Sequence, residues 1–130
     1  QISLGASYTN VFVGLPYTGR YKSAKLAYGV QGGTALMQPK TVHTFGLIGG
    51  NIHRDAIRVG PSFAKLDKYR IDDTDGTALG DAEAVKAVHD DFARPAPGNW
   101  KTDARLHMVV LPGHPATIDG ILIGVEAHEK

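Results

Sequence analysis

The chain has 130 residues, a length that fits one domain with a core of its own. Its composition, 42% hydrophobic and 21% charged, excludes a disordered segment, and no apolar run reaches the roughly 20 residues of a membrane helix. A formal charge of +1 with scattered basic residues predicts no nucleic-acid surface, and the lack of cysteine excludes disulfides and thiolate metal sites.

Glycine and proline, 16 and 7 residues, divide the chain into short apolar segments, which is typical of strands and turns. The first predicted strand is VFVGLPY (Val11–Tyr17), which ends at Pro16 because proline cannot donate to a strand partner. The second is RYKSAKLAY (Arg20–Tyr28). There the alternate set that begins at Lys22 and includes Leu26 predicts the apolar face.

The strongest predicted strand is KTVHTFGLIG (Lys40–Gly49), which follows the Gly-bearing loop VQGGTALMQPK. Alternation places His43, Phe45 and Leu47 on one face of this strand. The GGN that follows predicts a turn, and DAIRVG and SFAKLDKYRID predict two shorter strands.

DAEAVKAVHDDF is the one segment with helical spacing. Asp81 stands at a capping position, and Val85, Val88 and Phe92 recur at intervals of three and four residues, which predicts a short helix over 82–92. RPAPGNW breaks this helix, and DARLHMVV and IDGILIGVE predict two final strands joined by LPGHPAT.

These segments together predict an all-β fold over residues 1–130, an antiparallel β-sandwich of about seven or eight strands with at most one short helix. Because the sequence opens on QISLGASYTN without an initiator Met, we expect this single domain to have been excised from a longer chain. The predicted core consists of Val11, Val13, Leu26, Phe45, Leu47, Ile57, Leu66, Trp100, Leu106, Met108, Ile121, Ile123 and Val125.

The candidate chemical motifs all have simpler interpretations. The six histidines lack the spacing of a zinc site, so we expect structural roles for His43 and His107. GASYT places Ser7 in an incomplete nucleophile motif, since the closing glycine is replaced by threonine. DDTDG (Asp72–Gly76) misses the calcium-loop spacing and is typical of a turn. The sequence therefore predicts no catalytic residue, no cofactor and no metal.

Four segments resemble the tail nozzle proteins of short-tailed bacteriophages, also called tail tubular protein B or tail stabilization proteins. VGLPYTGRYKSAKL resembles the family's V-G-L-P-Y-T segment, and GGTALMQPKTVHTFGLIGGN is similar to its Gly-Thr loop, basic residue and long strand. RVGPSF is similar to its V-G motif, and PGNWKTDARLHMVVLPGHPATIDGILIGVE resembles its closing hairpin. The motifs occur in the family's order over residues 11 to 126.

The sequence departs from the family's pattern in two places. LPGHPAT stands where the family more often has adjacent Asp, Pro, Leu and Pro. DAEAVKAVHDDF stands where the resemblance implies an irregular or extended segment, in conflict with the helical spacing over residues 77 to 95.

The resemblance implies a structural, non-enzymatic domain in the virion tail. Copies of the intact protein would form a hexameric ring, contact the tail adaptor and the fibres or spikes, and pass DNA without specific binding, with no membrane involved. Aromatic and arginine side chains at the turn-rich ends are the expected interface; the alternative is that they close the sandwich. These residues are Leu15, Tyr17, Arg20, Tyr21, Trp100 and Lys101.

Two other functions remain open from the residues alone. Tyrosines such as Tyr17 and Tyr21 are suited to stack on sugars, so a carbohydrate-binding module of a phage tail is the main alternative. A tail-associated glycan or cell-wall hydrolase would need two carboxylates in one cleft. The candidates for such a pair are Asp72, Asp73, Asp75, Asp90 and Asp91, which all fall in stretches predicted as turn-like.

Overall fold

The computed structural model describes Gly5 and residues 15–27, 29–30, 33–71 and 85–127. Across these ranges the chain forms strands, with one short 3-10 turn at Ala35–Met37 and no α-helix. The strands are β1 (Gly19–Lys22), β2 (Gly29–Val30), β3 (Gly33–Thr34), β4 (Lys40–His53), β5 (Ile57–Ser62), β6 (Lys65–Lys68), β7 (Val85–Pro95), β8 (His107–Val110) and β9 (Thr117–Ala127).

Two antiparallel sheets form the body of the molecule. One has four strands in the order β1-β8-β5-β6, and the other has three in the order β7-β4-β9. β2 and β3 pair separately as a two-stranded hairpin. The predicted all-β antiparallel fold is confirmed, with β4 as the central strand of its sheet.

Both sheets contribute to one core, which makes the fold sandwich-like. Phe45, Leu47 and Ile52 of β4 pack in the same cluster as Ile57 of β5 and Met108 of β8. Of the predicted core, five residues are buried, namely Phe45, Leu47, Ile57, Leu106 and Met108, and three are partly buried against them, namely Leu26, Ile121 and Ile123. Leu66 and Val125 are half-buried, and Val11 and Val13 lie outside the described residues.

Among the predicted core residues that the structure describes, Trp100 is the one whose assignment is wrong, since it is 52% exposed. It lies in the irregular connection between β7 and β8, just before Lys101 bridges to Lys40 at the start of β4. Size and hydrophobicity favoured burial, but Trp100 lies outside the strands, next to the bridge between Lys101 and Lys40, and its ring stays accessible.

β4 is confirmed as the dominant strand and extends four residues beyond the predicted end, to His53. The predicted face is wrong at its first residue, because His43 is exposed whereas Val42 and Phe45 are both buried. In the pairing of β4 with β9, Val42 lies opposite Val125 and Thr44 lies opposite Gly124. His43 is therefore an extra residue on β4 that has no partner position on β9. This β-bulge shifts the alternation of side chains by one residue. Val42 therefore faces the core before the bulge, and Phe45 faces it after the bulge.

The predicted turn at GGN is also wrong. Gly49, Gly50 and Asn51 lie inside β4, and the chain turns only at Arg54 and Asp55. Asn51 has a φ of 49°, a left-handed conformation that asparagine tolerates better than most residues. The residues that predicted a turn therefore form a local irregularity within β4, at Asn51, and the strand continues past it to His53.

The predicted helix over 82–92 is wrong for all its described residues. Val85–Pro95 is strand β7, which pairs with β4 from His53 opposite Val85 to Thr44 opposite Pro95. Val85, Val88 and Phe92 do have helical spacing, but β4 supplies main-chain hydrogen-bond partners along the length of this segment. Pairing with β4 therefore overrides the local preference for a helix. Residues 82–84 lie outside the described ranges.

The first two predicted strands are only partly correct. Val11–Gly14 lie outside the described residues, and Leu15–Tyr17 are exposed and not part of a strand. The regular pairing of β1 ends at Lys22. The Ser23 main-chain N–H donates to the Leu106 carbonyl oxygen at 2.9 Å, but the Leu106 N–H donates to the Ser23 hydroxyl at 3.0 Å and not to a main-chain oxygen. Ser23 is therefore buried, whereas Lys22 and Ala24 of the predicted apolar set are exposed and only Leu26 is half-buried against the core.

Candidate functional site

The predicted interface residues are all accessible. Leu15 is 95% exposed and Tyr17 is 79% exposed. Tyr21 and Trp100 are also exposed large side chains, and Arg20 and Lys101 are exposed as well.

The structure places these residues in separate parts of the fold. Leu15 and Tyr17 precede β1, and Arg20 and Tyr21 lie on β1, which is the end strand of the four-stranded sheet. Lys101 instead exchanges two main-chain hydrogen bonds of 2.9 Å with Lys40, at the start of the other sheet's central strand. The set thus comprises one group at the β1 edge and a second group, Trp100 and Lys101, beside β4.

Lys40 forms a buried clamp that sequence analysis did not identify. Its side chain is fully buried, and Nζ donates to the carbonyl oxygens of Leu36 at 3.3 Å, Gln38 at 3.1 Å and Thr102 at 2.7 Å. An ammonium group has three N–H donors, so the three carbonyls match it. Burial, and secondarily the positive charge of Lys25, lowers the pKa of Lys40. The clamp joins the 3-10 turn to the connection before β8.

Five of the six histidines lie in described parts of the structure, and His128 lies outside them. The His53 and His114 rings are 4.5 Å apart between centroids, and His53 Nδ1 accepts from the Asp55 main-chain N–H at 3.1 Å. His43 is exposed on the β4 bulge, whereas His89 is buried and bonded to a tyrosine. No group of three or more His, Asp or Glu among the described residues is placed to hold a metal ion.

A row of basic residues crosses the four-stranded sheet. On β8, Val109 lies opposite Arg20 of β1 on one side and opposite Arg58 of β5 on the other. Arg58 in turn lies opposite Lys68 of β6. Val109 is buried between the two arginines, which are both exposed, because arginine stems cover apolar neighbours while their charged ends stay in water. Basic residues that are scattered along the sequence are therefore gathered on this face, contrary to expectation.

The neighbouring row on the same face centres on His107. Lys22 of β1 lies opposite His107 in the register, and the Phe63 ring stands edge-on to the imidazole at 4.7 Å between centroids. Arg20 in turn lies over Phe63, with its guanidinium carbon 5.6 Å from the ring centroid. Burial, assisted by the charge of Lys22, lowers the pKa of His107, so the imidazole is neutral near pH 7.

A cleft of about 200 Å³ lies beside His107. Lys22, Lys101, Asp103 and Arg105 contribute its charged lining. Arg105 Nε donates to Asp103 Oδ1 at 2.8 Å, and this hydrogen bond lowers the pKa of the Asp103 carboxyl. The sequence alone does not reveal this site, because it is assembled from β1, β4, β5, β8 and the connection between β7 and β8, which come from distant parts of the chain.

The acidic candidates for hydrolysis do not form a described pair. Asp90 is exposed on β7, opposite Ile48, so its predicted turn-like setting is wrong. The main chain of Asp91 likewise belongs to β7, opposite Leu47. Asp72, Asp73 and Asp75 lie outside the described residues, as do Ser7 and the DDTDG segment.

Comparison with protein-family models and with curated proteins found no match to this chain. Among the described segments, none forms a helix of the length and apolarity that a membrane crossing demands.

Proposed function

We propose that this chain is a structural domain of a phage tail nozzle protein, located in the virion tail. In this role it contributes to the wall of the DNA-exit tube and contacts the tail adaptor and tail fibres. Its partners are copies of itself in a ring, and DNA passes along the tube without sequence-specific contact. The role is mechanical and non-catalytic.

The observation that carries this proposal is the placement of the segments that resemble the nozzle family. GGTALMQPKTVHTFGLIGGN contains the 3-10 turn and most of β4, and its basic residue Lys40 is the buried clamp. The closing segment contains β8 and β9, which pair with strands from the other three segments. The four resembling segments thus contain the strands that pair with one another to form the two sheets. A shared fold would require these segments in the same order along the chain.

The exposed side chains support the ring model in a second way. Leu15 and Tyr17 are large, almost fully solvent-exposed, and adjacent to the end strand β1. Aromatic and apolar side chains of this kind are the usual anchors of protein interfaces. In a head-to-tail ring the two contacting surfaces differ, so an isolated domain need not associate tightly.

The proposal is tested by the gene that encodes this chain and by its product. We expect a reading frame of several hundred residues beside portal and adaptor genes, whose product forms hexameric rings with the adaptor in electron micrographs. Antibodies raised against the 130-residue chain should label the virion tail. A complete gene of this length far from any phage cluster, or virions that the antibodies do not label, would end the proposal.

A carbohydrate-binding module is the second candidate, favoured by the 79% exposure of the Tyr17 ring. An exposed aromatic ring beside a sheet edge suits stacking on a sugar. Glycan-array binding that is lost in Tyr17→Ser or Tyr21→Ser would favour this function over the nozzle role. Release of reducing sugar or peptidoglycan fragments, abolished by Asp90→Asn or Asp91→Asn, would instead indicate a hydrolase.

A further inference from the structure

The outward face of the four-stranded sheet carries basic side chains and no carboxylate. Two neighbouring rows across the strands form this face, and they contain Arg20, Lys22, Arg58, Gly60, Lys68, His107 and Val109. We call these two rows the basic face. No Asp or Glu occupies either row of these described strands. Because the formal charge of the whole chain is only +1, positive charge is concentrated on this face and balanced elsewhere.

Two of the four basic residues on this face have acidic neighbours, and two do not. Lys68 is paired with Asp55, and a carboxylate also lies near Lys22. Arg20 and Arg58 are both exposed, and neither forms an ion pair with a described residue. The two guanidinium groups therefore lack a counter-charge in the described part of the chain.

The fold holds Arg20 and Arg58 at a defined separation. Val109 lies between them in the sheet, and neighbouring strands are about 4.8 Å apart, so the two arginine backbones are roughly 10 Å apart. The arginine stems cover Val109, which is buried. Arg20 also lies over the Phe63 ring, with its guanidinium carbon 5.6 Å from the centroid. These contacts restrict the side chains before a partner binds, which lowers the entropy cost of binding.

The shape of the face decides the class of partner. Val109 fills the space between the two arginines, so they do not enclose a small anion, whose sites are usually concave. An extended polyanion such as duplex DNA, with one negative charge for about every 1.7 Å of its axis, can contact separated cations at the same time. An anionic membrane fits less well, because membrane docking combines basic residues with apolar side chains that insert. The two most exposed apolar side chains, Leu15 and Met37, lie outside the strands of this sheet.

We propose that the basic face contacts the phosphate backbone of double-stranded DNA, with Arg20 and Arg58 as the central contacts and Lys22 and Lys68 beside them. Guanidinium groups suit this role because their paired donors match phosphate oxygens. The inference goes beyond the proposed function, since it assigns a phosphate contact to one face of this domain. The contact requires no ring, so it can hold or fail independently of the nozzle proposal.

The test is fluorescence anisotropy of a labelled DNA duplex titrated with the 130-residue chain at several sodium chloride concentrations. We expect saturable binding of equal affinity for two duplexes of unrelated sequence, because phosphate contacts do not read the bases. The logarithm of the association constant should fall linearly with the logarithm of the salt concentration. A slope of about −2 to −4 is expected for two to four phosphate contacts.

Matched variants separate this face from general attraction to basic residues. Arg58→Met keeps an apolar stem over Val109 but removes the charge. It should weaken binding about fivefold and make the salt slope less steep by about one, whereas Arg58→Lys should retain most of both. Lys65→Met removes one positive charge from an exposed position outside both rows and should have a much smaller effect.

Three results would overturn the proposal. The first is anisotropy that does not saturate at low salt, and the second is equal weakening in Arg58→Met and Lys65→Met. The third is binding of phosphatidylglycerol vesicles that is as tight as binding of the duplex and equally sensitive to Arg58→Met, which would assign the face to a lipid surface.

Discussion

The hydroxyl of Tyr69 and Nε2 of His89 lie 2.9 Å apart, and both side chains are buried. Tyr69 follows the four-stranded sheet at the end of β6, whereas His89 belongs to β7 of the three-stranded sheet. The hydrogen bond therefore joins the two layers of the sandwich. The Tyr69 ring also stands edge-on to Phe45 at 5.2 Å between centroids.

Tyr69→Phe should lower the free energy of unfolding by about 1–2 kcal/mol, because it removes this buried hydrogen bond while keeping the ring. Urea denaturation measures the change. Tyr21→Phe removes a hydroxyl from a side chain that is 41% exposed, and serves as the matched control with no expected change. Equal stability of the wild type and Tyr69→Phe would show that the bond contributes nothing.

Lys40→Met should destabilise the fold by about 2–4 kcal/mol, because three carbonyl oxygens lose their buried donor. Thermal or urea unfolding measures the loss. Lys65→Met changes an exposed lysine of β6 and should have little effect. A stable Lys40→Met protein would mean that water replaces the ammonium group, against the clamp described above.

Gly60→Ala should destabilise the four-stranded sheet by about 1–3 kcal/mol. A Cβ at Gly60 would collide with the main-chain oxygen of Lys65, and backbone cannot move aside as a flexible side chain can. Gly19→Ala is the control, since a Cβ there meets only the Val110 side chain at an ordinary 3.4 Å. Denaturation curves with the same midpoint for both variants would contradict the close approach of β5 and β6.

His107 should make the protein less stable as the pH falls. Its folded pKa lies below the ordinary value of 6.5, so between these two values the unfolded chain binds more protons than the folded chain. The free energy of unfolding therefore decreases as the pH drops from 6.5 through the folded pKa. NMR titration should place the pKa of His107 below 6.5 and closer to it in Lys22→Met. A pKa at or above 6.5 in the wild type would disprove this.

Tyr17→Ser should leave the free energy of unfolding within about 0.5 kcal/mol of the wild type, because the ring is 79% exposed. In the longer chain with the adaptor, the same change should weaken ring assembly, while sedimentation should show the 130-residue chain to be monomeric or weakly associating. A clear loss of stability would instead support the alternative that Tyr17 closes the sandwich.

Alternation along the sequence was sufficient to predict the strands that became β4, β5, β8 and β9, because each has one face in the core. It could not predict the bulge at His43, since an extra residue depends on how β9 pairs with β4. The same limit applies to DAEAVKAVHDDF, where the pattern favours a helix and the partner strand decides the outcome.

The candidate site was even less accessible to sequence analysis. Lys22 and His107 are distant in the chain and become neighbours only through the register of β1 with β8. The row of Arg20, Arg58 and Lys68 likewise depends on three strand pairings. Charge counts cannot reveal such a face, because composition carries no information on register.

The pairing of β4 with β9 also constrains how the protein folds. Lys40 lies opposite Ala127, and Gly50 lies opposite Thr117, so the long edge of β4 is completed by residues made much later. Closing such a large loop is slow, and folding rates fall as the sequence separation of contacting residues rises. During synthesis, β4 emerges from the ribosome well before β9. Until then this edge of β4 is unpaired and open to aggregation, and chaperone protection of the nascent chain would have its greatest effect in this interval.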